Sequence, residues 1–173
     1  MLNRFYKFAD GVSWCASQLA SVSVVVLTLA MVYEVFARYV FNAPTVWSFD
    51  IAYMSNGVLF VLGMAWVLRQ DAHIRIDVVS RKLPPKLAGA IEGVAFLVIL
   101  APFFGALAWV AGEHTVRAWV RNEVETVSPW APLMWPFYFL ITIGLISLTL
   151  QLAAEGLRAF NGQRHIPTAQ EAS

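Results

Sequence analysis

Charge is scarce in this chain. Only 13% of its 173 residues are Asp, Glu, Lys or Arg, where a soluble domain carries about 25%. The net charge is +1, so no basic field exists to draw in nucleic acid. One cysteine, Cys15, excludes an internal disulfide framework and a thiolate metal cage. The three histidines, His73, His114 and His165, fall at segment ends or in loops, whereas a haem-binding membrane anchor needs them inside its helices. The H-E-x-x-H and G-x-S-x-G motifs and a phosphate-cradling glycine loop are missing. No enzyme, cofactor or metal site is expected.

What is present is apolar. Hydrophobic residues make up 59% of the chain, too many to hide in one small core. Four runs are long enough to span a bilayer, at about 12–36, 51–68, 87–111 and 133–154, given that about 20 apolar residues cross about 30 Å of hydrocarbon. The first continues from Val22–Val32 into Tyr33-Glu34-Val35-Phe36 without a small-residue cleavage site, so it reads as a retained helix rather than a signal peptide. Continuous runs favour helices, because an open sheet edge cannot be satisfied in lipid. The expected fold is an all-α integral membrane protein. It has one four-helix domain over residues 1–160 and a polar cytoplasmic tail over 161–173. Pro102 falls inside the third run and is expected to kink it.

Basic residues predict the orientation. Placing both ends inside gives nine lysines and arginines on the inner side and three on the outer, which favours N-in, C-in. Two short stretches look amphipathic. Leu2, Phe5, Tyr6, Ala9 and Val12 recur at helical spacing and predict an in-plane helix leading into the first span. The segment from His73 to Leu83 is apolar on one side and basic on the other, and Pro84-Pro85 ends it. Glu113, Arg117, Arg121 and Glu125 follow at four-residue steps, predicting an ion-paired face beyond the third span.

The remaining polar residues are the candidate sites. Glu34 and Arg38 stand four apart at the end of the first span, spaced for a local ion pair or a contact with another subunit. Ser48 is a candidate N-cap of the second helix, and Asp50 complements its positive end. Asn56, beside Ser55 and Gly57, is of the kind that joins membrane helices. Trp135 lies in Pro129-Trp130-Ala131-Pro132-Leu133-Met134-Trp135-Pro136, either an interfacial anchor or a wedge against protein. No inverted repeat and no pair of interrupted helices marks a transport site. This pattern suits a membrane scaffold working with a partner. A small self-associating exporter and the membrane anchor of a redox complex are the alternatives.

Several pieces in order resemble one family. Arg38-Tyr39-Val40-Phe41-Asn42, then Pro44 and Trp47-Ser48, looks like the pattern after the first span of the small (DctQ-type) permease subunit of tripartite ATP-independent periplasmic, or TRAP, transporters. Gly63, Arg69 and His73-Ile74-Arg75-Ile76-Asp77, then Leu83-Pro84, resemble its stretch after the second span, and Trp135-Pro136 with Gly144 its fourth. Where the family commonly has an acidic pair after Trp-Ser, Phe49 stands first and only Asp50 remains. The resemblance implies a bacterial inner-membrane subunit that scaffolds a large permease. That permease carries substrate and sodium, and a periplasmic binding protein delivers an organic acid to it. Arg38, Asn42, Trp47 and Asp50 would then order the outer hairpin. His73, Arg75 and Asp77 would order the inner loop, with Asp77 one turn from Arg81.

Overall fold

The apolar runs form long helices, and small residues decide how closely they approach. The computed structural model describes residues 2–70 and 85–161. Helix α1 runs Leu2–Tyr39 and α2 runs Ser48–Arg69. The third rod is continuous, with α3 at Pro85–Val94, a π-helical segment at Ala95–Leu100 and α4 at Ala101–Arg121. Helix α5 runs Trp135–Phe160. Four of these rods are long and apolar enough to cross a membrane. Among the described residues the extended pairing is an isolated antiparallel bridge between Val124 and Leu133.

Helix α5 is the hub. It packs on α1, α2 and α4, and contributes to all three clusters of the core. Ala16 and Ala20 of α1 meet Val58 and Leu62 of α2, with Phe137, Leu140 and Ile143 of α5 against them. Ala65 and Leu68 of α2, Ala101 of α4, and Leu148 and Leu152 of α5 form a second cluster. Tyr6 and Ala9 of α1 close on Ala154 of α5 in the third. The buried stripe of α1 is small, with Ala9, Ser13, Ala16 and Ala20 three or four residues apart. Without a hydrophobic force between helices in lipid, close van der Waals approach is the source of cohesion, and small residues permit it. Large side chains such as Val25, Leu29, Val98, Ile99 and Phe103 point outward instead, as a lipid-facing surface requires.

Gly144 sets the closest crossing. A Cβ there would lie 2.7 Å from Val61 Cγ1 and 3.0 Å from the Val61 carbonyl group. Backbone cannot rotate aside as a side-chain tip can. Gly144→Ala should therefore push α2 from α5 and cost about 1–3 kcal/mol, read as a lower unfolding midpoint in mixed micelles.

Just upstream of Pro102 the helix widens into a π-helical turn. Proline lacks an N–H and its ring crowds the carbonyl four residues back. The π-helical segment ends there, with the Ala101 N–H bonded to the Phe96 carbonyl five residues earlier, so one wide turn absorbs the misfit.

Three expectations change. The stretch at 2–12 is not a separate in-plane helix but the first turns of α1, because Tyr6 and Ala9 are buried against α5. Ser48 is the first residue of α2 rather than its cap; Trp47 holds the cap position without a side-chain bond. The charged ladder after the third span is not ion-paired. Helix α4 ends at Arg121 with Asn122 in a left-handed conformation, φ 49°, which asparagine tolerates. Glu125 is therefore off the helix and accepts the Thr126 and Val127 amides, while Glu113 accepts the Trp109 indole N–H at 3.0 Å. His73, Arg75 and Asp77, with the amphipathic segment around them, lie outside the described residues.

Candidate functional site

Polar chemistry collects at the two ends of the bundle. At the loop end, Glu34 is buried on α1 while Arg38, one turn on, is largely exposed. Arg38 donates to one Glu34 oxygen from Nε at 2.9 Å and from Nη2 at 2.5 Å. The other oxygen accepts the Thr45 amide at 3.0 Å and the Thr45 hydroxyl. Glu34 thus ties the helix to the loop eleven residues away. Asn42 has φ 51°, and the turn it makes lets the Ala43 amide reach the Ala37 carbonyl at 2.9 Å. Trp47 stacks on Tyr33 with ring centroids 5.5 Å apart.

Asp50 carries the connection further. It is buried and accepts the hydroxyl of Ser128, which lies in the loop between α4 and α5. Ser128 in turn accepts the Trp130 amide at 3.1 Å. That loop is braced by Met134 N–H to the Glu123 carbonyl and Glu125 N–H to the Pro132 carbonyl, each 2.9 Å. Trp135 meets Trp119 edge-on at 4.4 Å. The start of α2 and the loop between α4 and α5 are thus joined through one carboxylate. Ser128→Ala would leave buried Asp50 without this donor and should cost about 1–3 kcal/mol, seen as a lower unfolding midpoint.

The terminal end holds a larger network that the sequence reading did not assemble. Asp10 of α1 pairs with Arg158 of α5 at 2.8 Å and with Arg69 of α2 at 3.3 Å. Arg158 also pairs with Glu155. Gln151 accepts the Ser13 hydroxyl at 2.7 Å and donates to Glu155 at 2.9 Å and to Asp10 at 3.3 Å. The Arg158 guanidinium lies 4.9 Å from the Tyr6 ring, and Asn161 donates to the Tyr6 hydroxyl at 3.2 Å. Two carboxylates thus face two guanidiniums, and three helices share the cluster. The available signal was the spacing of Gln151, Glu155 and Arg158 along one helical face; the partner Asp10 is 141 to 148 positions away.

Among the described residues no three His, Cys, Asp or Glu side chains converge as metal ligands. An open groove of about 790 Å³ between α4 and α5 is walled by Gly105, Ala108, Trp109, Gly112 and Ile146. Thr142, Thr149, Glu113 and Arg117 also line it, with Arg117 Nε donating to the Glu113 carbonyl at 3.4 Å. Asn56 stands apart from both polar ends, exposed on α2.

This is a bundle of four helices long and apolar enough to cross a membrane, with charged clusters fastening its two ends. Residues 27–162 match the family described as tripartite ATP-independent periplasmic transporters, DctQ component. The chain belongs to that family: it is the small permease subunit of a TRAP transporter, a multi-pass protein of the inner membrane. No curated protein and no solved structure matches it.

Proposed function

We propose that this subunit is a fixed scaffold for the large permease, which carries out sodium-coupled uptake of an organic acid delivered by the periplasmic binding protein. The observation that supports this most is where the polar groups go. Glu34, Asp50, Gln151 and Glu155 are buried, yet each takes part in bonds within the bundle. A transport pathway needs polar groups held at the midplane for a moving solute. Here the buried charged groups sit near the ends and tie α1, α2, α5 and the loops to one another.

Nine basic residues against three support both termini on the cytoplasmic side. The Glu34–Thr45 and Asp50–Ser128 joints then face the periplasm, where the binding protein docks on the membrane subunits. A reporter after Ser173 that is active only on the periplasmic side would overturn this orientation. For the scaffold itself, vesicles holding both permease subunits should accumulate substrate under a sodium gradient when binding protein is supplied. Vesicles with this chain alone should not.

A further inference from the structure

We infer that the outward face of α2, marked by Asn56, is the surface on which a helix of the large permease subunit docks, and that the outward face of α1 at Gln18 is a second contact. This rests on the scaffold reading above and adds where the contact lies. Asn56 is eight residues into α2, about 12 Å from its start by helical rise, well inside the hydrocarbon. It is exposed, and its amide has no hydrogen bond within the described residues. Lipid tails offer neither donor nor acceptor, so a side-chain amide left facing them is costly.

Gln18 makes the same demand from α1. It too is exposed, with no hydrogen bond among the described residues. Its neighbours Ala16 and Ala20 pack at the level of Val58 and Leu62, so it also lies at membrane depth. Both amides point away from the packed stripes of their own helices. Phe49, Tyr53 and Phe60, also exposed, flank Asn56 at helical spacing and complete an aromatic strip on α2.

The other side of the bundle behaves differently. Thr142 bonds the Tyr138 carbonyl at 2.8 Å and Thr149 the Leu145 carbonyl at 2.8 Å. Thr115 is shared between the Ala111 carbonyl at 2.9 Å and Thr142 at 3.0 Å. The threonine hydroxyls of the α4–α5 side are therefore satisfied within the bundle, and the charged residues lining its groove, Glu113 and Arg117, stand in the last turns of α4 near the loop end. The α1–α2 side asks for hydrogen-bonding groups at depth, which a membrane-spanning partner helix supplies through polar side chains or unwound backbone.

The test uses the full chain coexpressed with the large permease subunit. Asn56 or Phe60 is replaced by photoreactive benzoylphenylalanine, and Trp109 in the α4–α5 groove serves as the comparison. The expected result is crosslinking to the large subunit from 56 and 60 and to lipid from 109. In parallel, Asn56→Leu should weaken association of the two purified subunits by roughly 3- to 20-fold. It should leave the unfolding midpoint of the isolated chain unchanged, and Asn56→Gln should retain most of the affinity. Crosslinks from 56 that reach only lipid, or a second copy of this chain, overturn the surface. So does unchanged affinity in Asn56→Leu. If the unsubstituted chains do not associate at all, the scaffold reading falls as well, and that is seen before any substitution is made.

Discussion

Replacing Arg158 with methionine should cost the bundle about 3 kcal/mol. Arg158 bonds Asp10 on α1 and Glu155 on its own helix, and its side chain is only 18% exposed. Removing one member of a largely buried ion network leaves the opposite charges short of compensation, which is the expensive case. Asp10 keeps Arg69 at 3.3 Å, so the loss is held to the lower end of the range. Methionine preserves the apolar stem, and the effect therefore reports charge rather than packing. Adding Glu155→Gln to Arg158→Met should recover part of the loss, because the stranded carboxylate is gone. Unfolding in mixed micelles measures both. A change below about 0.5 kcal/mol, the size expected of an exposed pair, would show that the cluster is solvated and does not join the helices.

Glu34→Ala should open the loop end. It removes the acceptor of the Thr45 amide, the Thr45 hydroxyl and the Arg38 guanidinium together. Hydrogen bonds to a charged partner contribute about 1.5–3 kcal/mol, and this carboxylate is buried. The expected loss is about 3 kcal/mol locally. Hydrogen exchange at the Thr45 amide should then rise on the order of 100-fold. Glu34→Gln keeps an acceptor oxygen and should lose about half as much. Arg38→Ala should lose less again, because the arginine is exposed and exposed pairs contribute about 0–1 kcal/mol. Equal effects for Glu34→Ala and Arg38→Ala would mean that the ion pair, not the tie to Thr45, holds this end.

The helices were legible because apolar runs of this length have only one solution in lipid. Their ends were harder to read, for a physical reason. Hydropathy stops at a charge, whereas a helix continues if the charge has a partner. Glu155 and Arg158 lie beyond the apolar part of α5, yet the helix runs through them to Phe160, because Asp10 is there to meet Arg158. Asp10 itself reads from sequence as one polar residue of a surface helix; its role comes from α5 arriving beside it. The same holds for Asp50. Its place at the start of α2 suggests a helix-dipole role, but Ser128, 78 residues on, is its hydrogen-bond partner. Pairs close in sequence, such as Glu34 with Arg38, can be read from spacing, and pairs made by packing cannot.

Asn56 presents the opposite case. A polar residue in a membrane helix suggests a bond to a neighbouring helix, and only the fold shows that this one points away from its own bundle. The match to the small-subunit family covers residues 27–162, which leaves Asp10 and Gln18 outside it. Arg69, Gln151, Glu155 and Arg158 of the terminal network lie inside it, and their partner on α1 does not.

A fixed partner of a larger permease should leave the membrane together with it. The most direct test is gentle detergent extraction of membranes coexpressing both subunits, with capture through a tag on this chain. Recovery of one large permease subunit per copy of this chain, stable through size exclusion, is the expected result. Recovery of this chain alone or only as a homo-oligomer, while the large subunit remains folded and separate, would contradict the fixed-partner role.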